Sequence, residues 1–382
     1  MASDRTDWAR LARPWLRDLE PYDPGSSRDE LKQIHHLDEL APLNWNEDLF
    51  GTPQHILDAA AAEVTRAALY PERAYADFRL AVAEWLGVSE ECVVPAHGAQ
   101  ALISAIASTF IDPGTAVVVP QTTYGLYAQV SAAGGATVTS VPGNGLAFDL
   151  PAIAAAAHTA AARLVWLCDP NNPTGILIGR DEWGEFLDRL PGDCIAVVDE
   201  AYIDFSDPDV RVHRERDILA GRPVIVIRSC SKVFGLAGLR LGYAIADPQV
   251  GRLLNVVQEP FNVNRVALAA GRAAVLTPDL VPRRRAEVAA ARDAFTAALA
   301  AAGIETVASQ ANFVLIRLGV DDGPVFERLL GKGILVRAGE TVGLPGHLRV
   351  TMGPAALMQA AAREIIAALG PASPLRSTPR RG

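Results

Sequence analysis

Four short polar segments contain most of the side chains that could take part in chemistry. Each lies at the end of an apolar, strand-like run: GAQ at 98–100, DPNNPTG at 169–175, DEAY at 199–202 and SCSKVFGLAGLRLGY at 229–243. Ligands of open α/β sheets bind at the carboxyl ends of the strands. We therefore expect the four segments to share one site.

Taken alone, each segment has an ordinary explanation. NNPTG is a turn sequence. Asp199 and Glu200 could be charged residues at the end of a strand. Lys232 could be exposed to solvent, as most lysines are. Together the segments supply what a phosphorylated pyridine aldehyde requires. These groups are a carboxylate for the ring nitrogen, donors for the phenolic oxygen, an amine for the Schiff base and a cradle for the phosphate. The combination predicts a pyridoxal 5′-phosphate (PLP) site.

The motifs NNPTG, DEAY and SKVFGLAGLRLGY, in this order, resemble those of the fold-type I aminotransferases. Among these enzymes, the chain is most similar to the histidinol-phosphate aminotransferase-like branch, from Tyr22 to Leu369. The resemblance implies PLP-dependent transfer of an amino group to a 2-oxo acid. The donor would be an amino acid or an amino-alcohol phosphate, with histidinol phosphate the first choice.

The resemblance also assigns roles to residues that hold the cofactor. Lys232 would form the Schiff base, and Asp199 would pair with the pyridinium nitrogen. With Tyr202, these are the expected catalytic residues. The ring oxygen would receive hydrogen bonds from Asn172 and Tyr202, and Tyr124 would stack on the ring. The phosphate would be held by Ala99, Gln100, Ser229, Ser231 and Arg240.

The phosphate assignment agrees with a physical argument. Residues 100–110 are predicted to form a helix, and the N-terminus of a helix favours an anion. Gly98 permits a close approach of the backbone at that point.

A second set of residues is assigned by the resemblance to the substrate and to a partner subunit. Tyr22, in the arm segment 19–31, would lie near the substrate as part of a lid. Arg337 and Arg349 would bind the anionic end of the substrate, which is a phosphate or a carboxylate, since a guanidinium suits both. Asn312 is a further substrate-side position, although an Asn before Phe is equally explained as a cap or a turn.

Tyr70 matches a position that reaches the cofactor phosphate of a neighbouring subunit. This match implies a homodimer with shared active sites. A Tyr-Pro helix stop is the alternative explanation of Tyr70.

Three departures from the branch leave the substrate open. The chain has NEDL at 46–49 where NENP is usual, Gln100 where an acidic residue or Asn is usual, and Gln121-Thr122 where a proline-rich approach is usual. The alternatives are an aromatic or other amino-acid aminotransferase, a PLP-dependent decarboxylase of an amino-acid phosphate, or a lyase. A DNA-binding regulator built on the same domain has no room for its extra module before residue 45.

Composition and charge argue against several classes of protein. The 382 residues carry a formal net charge of −9, which argues against nucleic acid as the partner. There is no apolar run long enough for a membrane span and no apolar signal core near the start. We expect a cytoplasmic protein with free thiols and without a bound metal, because no paired cysteine or His/Cys spacing is present. The cysteines are Cys92, Cys168, Cys194 and Cys230.

The elements that must position the four segments alternate between helices and short apolar strands, which is typical of the α/β class. The strands are apolar throughout, which predicts a mainly parallel sheet buried on both faces. The expected strands are 115–119, 136–141, 163–167, 194–198 and 223–227, with two more near 312–317 and 347–352. The expected division is an arm at 1–45, a three-layer large PLP-binding domain at 46–270, a smaller α+β domain at 271–370 and a disordered tail at 371–382.

Overall fold

A seven-stranded sheet forms the centre of the molecule. The computed structural model describes residues 6–23, 25 and 27–370, so the predicted disordered tail at 371–382 lies outside the described residues. The strands of the sheet are β1 (Val93–Ala96), β2 (Ala116–Pro120), β3 (Thr137–Val141), β4 (Leu164–Cys168), β5 (Ile195–Asp199), β6 (Val224–Ser229) and β7 (Gly242–Ile245).

The spatial order of the strands is β1-β7-β6-β5-β4-β2-β3. The five strands β2 to β6 are parallel, and only β7 runs antiparallel, between β1 and β6. Every side chain of β4 and β6 is buried. Since successive side chains of a strand point to opposite faces, both faces of the sheet must be covered. The prediction of an α/β fold with a mainly parallel sheet is confirmed.

Helices pack on this sheet. Ala99–Phe110 contacts β6 and β7, while Leu150–Ala160 contacts β2 and β3 and also Arg180–Arg189. The α-helices are Trp8–Leu11, Arg28–Ile34, Gln54–Val64, Ala76–Leu86, Ala99–Phe110, Leu126–Ala133, Leu150–Ala160, Arg180–Arg189, Glu215–Leu219, Pro248–Val257, Arg265–Val275, Leu280–Ala301, Asp322–Leu330 and Ala355–Leu369. None of the described helices combines the length and the apolar character that a bilayer crossing requires.

A smaller sheet follows in the chain. Its strands are β8 (Glu305–Thr306), β9 (Phe313–Arg317), β10 (Arg337–Ala338) and β11 (His347–Thr351), in the antiparallel order β10-β11-β9-β8. The long helix Leu280–Ala301 packs on Ala355–Leu369 beside it. The expected limit at residue 270 falls inside the helix Arg265–Val275, which packs on Gln54–Val64, so the domain limits stay a prediction.

The end of the N-terminal arm is bound to the region of the smaller sheet. Ala41–Pro42 pairs in parallel with Ile334–Leu335. Two short helices, Trp8–Leu11 and Arg28–Ile34, precede this pair. The pairing places residues 43–48 next to the carboxyl ends of the large sheet.

A buried ionic cluster joins the loops that leave β4 and β5. Arg214 is fully buried and donates to Asp169 Oδ2 at 2.7 Å and to Glu200 Oε1 at 2.8 Å. The second oxygen of Glu200 lies 2.7 Å from Arg228. Asp169 begins the DPNNPTG loop and Glu200 follows Asp199, so one guanidinium fixes two of the segments that carry chemistry.

We expect Arg214→Met to lower the free energy of unfolding by about 3–5 kcal/mol, because it leaves the buried Asp169 carboxylate without a cation and Glu200 with Arg228 alone. The midpoint of urea denaturation, followed by tryptophan fluorescence, measures the effect. The matched control is Arg222→Met, which breaks the solvent-exposed ion pair between Arg222 and Asp188. This variant should change the midpoint little. Equal shifts in the two variants would contradict the role of the cluster.

Candidate active site

One cavity of roughly 740 Å³ opens at the carboxyl ends of the parallel strands. All four polar segments reach it, as the sequence predicts. The predicted site residues that line it are Tyr22, Ala99, Gln100, Tyr124, Asn172, Asp199, Tyr202, Ser229, Ser231, Lys232, Arg240, Arg337 and Arg349. Among the described residues, no cluster of His, Cys, Asp and Glu is arranged to hold a metal ion.

Lys232 follows β6 and lies at the floor of the cavity. Its Nζ donates to the backbone carbonyl of Trp45 at 2.9 Å and lies 5.6 Å from the centre of the Tyr202 ring. Desolvation, together with the positive charges of Arg349 and Arg240, lowers the pKa of Lys232 to about 7. The amine is thus available as a neutral nucleophile near physiological pH.

Asp199 is the last residue of β5 and is almost fully buried. Its Oδ2 accepts a hydrogen bond from the Tyr127 hydroxyl at 2.9 Å, and its Oδ1 accepts one from the backbone N–H of Ala201 at 3.0 Å. Desolvation raises the pKa of Asp199 to about 6, against the opposing effects of these donors and of Lys232. The carboxylate is therefore ionised at neutral pH.

An anion cradle lies at the edge of the cavity where β1 meets the helix Ala99–Phe110. Gly98, at φ +81°, precedes the helix, and a Cβ there would lie 2.7 Å from Arg240 Nη2, so only glycine fits. Arg240 Nη1 donates to Ser231 Oγ at 3.4 Å. The Ser229 hydroxyl also lines the cavity. The N-terminus of a helix, two serines and a guanidinium thus line the same cavity, and these are groups that bind an anion.

The small sheet contributes two further cationic groups to the lining of the cavity. Arg337 on β10 pairs directly with Arg349 on β11. Arg349 is buried and donates to Asn172 Oδ1 and to the backbone carbonyl of Asn44. Burial lowers the pKa of Arg349 to about 10, which leaves it charged at neutral pH. A Cβ placed on Gly25 would lie 2.7 Å from Arg337 Nη1, so the N-terminal arm reaches Arg337.

Aromatic rings form one wall of the cavity. Gln100 Nε2 donates to the Tyr124 hydroxyl at 2.8 Å, which ties the ring to the anion cradle. Tyr22 of the arm meets the Tyr124 ring edge-on, with centroids 5.7 Å apart. The arm thus covers the cavity from the side of Tyr124.

Residues 43–48, here called the strap, were not predicted as part of the site. Asn46 has a left-handed φ of 54°, and its Nδ2 donates to the Tyr202 hydroxyl at 3.1 Å. Its backbone N–H donates to Thr351 Oγ1 at 3.0 Å. The strap therefore forms hydrogen bonds both to the loop that follows β5 and to β11 of the small sheet. The only signal in the sequence was the NEDL departure at 46–49.

Two predicted residues lie outside the cavity. Asn312 is buried behind the strap, where its Nδ2 donates to the Asn46 carbonyl at 3.1 Å. Tyr70 is 78 % exposed and stacks on Phe261, with centroids 4.7 Å apart. Neither reaches the cavity of its own chain, so the roles of both stay predictions.

The donor set suits PLP. The anion cradle matches its phosphate, the Lys232 amine its aldehyde and the Asp199 carboxylate its ring nitrogen. Residues 38–369 match the family model described as aminotransferase class I and II. The chain belongs to the class I and II aminotransferases. It is a PLP-dependent aminotransferase, as the sequence predicts.

Relatives of this aminotransferase agree with that assignment. It is 36 % identical to the histidinol-phosphate aminotransferase of Symbiobacterium thermophilum, over 89 % of this chain and 94 % of that one. It is 34 % identical to the enzyme of the same name from Bacillus pumilus, over 88 % and 93 %.

The fold of the chain is also similar to that of solved aminotransferase structures. The histidinol-phosphate aminotransferase of Sinorhizobium meliloti in complex with pyridoxal-5′-phosphate superposes with a TM-score of 0.85 at 26 % identity, over 94 % of this chain and 98 % of that one. The aspartate aminotransferase of Thermus thermophilus shares the fold alone, with a TM-score of 0.81 at 20 % identity, over 94 % and 99 %.

Proposed function

We propose that this aminotransferase takes histidinol phosphate, or a closely related amino-alcohol phosphate, as its amino donor and a 2-oxo acid as its acceptor. The observation that carries the proposal is the pair Arg337 and Arg349, which lie opposite each other on adjacent strands of the small sheet and line the same cavity as the anion cradle. Two guanidinium groups match the charge of a phosphate dianion. The names of the relatives favour the same donor.

We also propose the roles of the residues that surround the cofactor. Lys232 would bind the aldehyde, and Asp199 the ring nitrogen. Asn172 and Tyr202 would lie at the ring oxygen, and Tyr124 at the ring face. The phosphate would be held by Ala99, Gln100, Ser229, Ser231 and Arg240. Their shared position on one cavity supports these roles.

Each of these residues then has its own role in the proposed reaction. When bound, PLP supplies an electron sink for the substrate Cα and carries the amino group between the two half-reactions. Lys232, with its lowered pKa, removes the proton at Cα and holds it for return. Asp199 keeps the ring nitrogen protonated. Arg337 and Arg349 hold the anionic end of the substrate so that its Cα proton faces Lys232.

A half-reaction screen tests the donor. Histidinol phosphate, glutamate, phenylalanine and threonine phosphate are added singly to the PLP-loaded protein, and conversion of the cofactor to its amine form is followed by absorbance. We expect conversion with histidinol phosphate. The variant Arg337→Ala should raise the KM for it by about tenfold or more, because one phosphate contact is lost.

Other outcomes of the screen have defined meanings. Conversion with glutamate or phenylalanine, but not with histidinol phosphate, would contradict the proposal. It would indicate that Arg349 binds the carboxylate of the substrate. Binding of an amino-acid phosphate with loss of CO₂ would instead support the decarboxylase alternative. Arg317→Ala is the matched control, because Arg317 lies at the exposed end of β9 and should leave KM unchanged.

We further propose a homodimer in which Tyr70 contributes to the partner's active site. Its exposure beside the exposed Phe261, outside its own cavity, supports this arrangement. The protein should sediment as a dimer. Mixing chains that carry Lys232→Ala with chains that carry Tyr70→Ala should restore activity, because each mixed dimer then has one intact site, or about one quarter of all sites in a random mixture.

The same mixing experiment separates the alternatives for Tyr70. If Tyr70 acts within its own chain, or only stops a helix, the mixture regains nothing beyond the sum of the two parents. A fully active monomer would also contradict the shared site.

A further inference from the structure

Tyr127 has no role among the predicted site residues, yet it contacts the most deeply buried carboxylate of the cavity. It lies on the helix Leu126–Ala133 and is fully buried. Its hydroxyl donates to Asp199 Oδ2 at 2.9 Å. Among the described residues, the only other donor bonded to this carboxylate is the backbone N–H of Ala201, on Oδ1.

The Tyr127 ring is fixed in place by its neighbours. It stacks on Trp166 of β4, with centroids 5.4 Å apart and planes 4° from parallel. Trp166 Nε1 donates to Ser131 Oγ at 3.2 Å, and that hydroxyl donates to the Tyr127 carbonyl at 2.8 Å. Tyr124 meets the ring edge-on at 5.5 Å. With so little freedom, the hydroxyl points at Asp199 before any ligand binds.

Asp199 needs such a fixed donor, because its surroundings otherwise favour the neutral acid. Burial opposes its charge, as does Glu200, the next residue in the chain. The titratable groups that face Asp199 from the elements packed against it are Tyr127, Cys168, Glu200, Tyr202 and Lys232. Glu200 is already paired with Arg214 and Arg228. The donors Tyr127 and Ala201, together with Lys232, favour the ionised form.

We propose that Tyr127 is a positioning residue for Asp199: its hydroxyl orients the carboxylate and keeps it ionised toward the ring nitrogen of PLP. The inference rests on the role proposed above for Asp199. A tyrosine hydroxyl suits this task because its own pKa is raised by burial and by the adjacent carboxylate, so it stays a donor across the working pH range.

The test measures PLP affinity of the cofactor-free protein as a function of pH. The variant is Tyr127→Phe, which keeps the stacked ring and removes only the hydroxyl. The matched control is Tyr243→Phe, since the buried Tyr243 hydroxyl has no hydrogen-bond partner among the described residues. All measurements are made in the Lys232→Ala background, so that the lysine does not titrate and binding is non-covalent.

We expect Tyr127→Phe to raise the Kd for PLP by about tenfold, because a hydrogen bond to a charged group is lost. With one donor fewer, Asp199 takes up its proton at a higher pH. The pH below which affinity is lost should therefore move upward by about one unit. Tyr243→Phe should change neither quantity, and circular dichroism should be unaltered in both variants.

A double-variant cycle with Asp199→Asn separates this proposal from the one on which it rests. Tyr127→Phe should have no further effect on Kd in the Asp199→Asn background. An unchanged Kd and pH midpoint in Tyr127→Phe would overturn the proposal, as would an equal loss in both backgrounds. If Asp199→Asn itself binds PLP like its parent, the role of Asp199 fails, and the proposal for Tyr127 fails with it.

Discussion

Replacement of Lys232 by alanine is expected to abolish the visible absorbance of lysine-bound PLP and to reduce transamination by about 10⁴-fold. The loss is this large because the same amine binds the cofactor aldehyde and moves the Cα proton. Absorbance spectra of the reconstituted variant and single-turnover rates with the best donor measure the two effects.

The chain offers a sharp control, since its only other lysines are Lys32 and Lys332. Lys332 is exposed, and Lys332→Ala should keep both the spectrum and the rate. Borohydride reduction of the loaded protein, followed by peptide mapping, should place the cofactor on Lys232 alone. A label on another lysine, or an unchanged spectrum in Lys232→Ala, would contradict the assignment.

The pKa of about 7 for Lys232 adds a pH dependence to the capture of PLP by the cofactor-free protein. Only the neutral amine attacks the aldehyde. Because the pKa is lowered, the neutral form prevails above pH 7 rather than above the ordinary lysine value near 10. The capture rate should therefore rise toward pH 7 and level off above it.

The second large effect is expected for Asp199→Ala. Without the carboxylate, a protonated ring nitrogen would be buried with no counter-charge. Breaking such a pair costs about 3–5 kcal/mol, which corresponds to roughly 10²–10⁴-fold in rate. Single-turnover kinetics of the PLP-loaded variant measure this loss, and circular dichroism checks that the fold is kept.

Two further variants test whether the negative charge of Asp199 is responsible for the loss of rate. Asp199→Asn keeps the shape and should be almost as slow as Asp199→Ala. Asp193→Ala removes an exposed carboxylate and should react at the parent rate. Near-normal turnover in Asp199→Asn would contradict the proposed role of Asp199.

The large sheet could be predicted because its central strands are short, apolar and separated by helices. The five strands β2 to β6 lie within one or two residues of their expected limits. The strands β1 and β7 carried no comparable signal, since VVPA contains Pro95 and GYAI directly follows a polar loop. Their pairing with each other, across almost 150 residues, depends on tertiary contacts that no local pattern encodes.

The site was predictable where one segment supplies a distinctive group at a strand end, as at Lys232 and Asp199. It was not predictable where the contact is made by the backbone or by a common residue type. The Trp45 carbonyl that accepts from Lys232 has no sequence signature. Asn46 and Tyr127 act through the positions that the fold gives them, and neither belongs to a motif that specifies a partner.

The buried guanidinium of Arg214 has a consequence for how this sequence can change over time. Its partners Asp169 and Glu200 stand 45 and 14 positions away, yet the three form one electrostatic unit. Loss of Arg214 leaves the buried Asp169 uncompensated, and loss of Asp169 leaves Arg214 with Glu200 alone. Replacement of Glu200 removes a partner from both Arg214 and the buried Arg228. Substitutions at these positions should therefore be strongly epistatic, and the loops bearing Asn172 and Asp199 are constrained to evolve together.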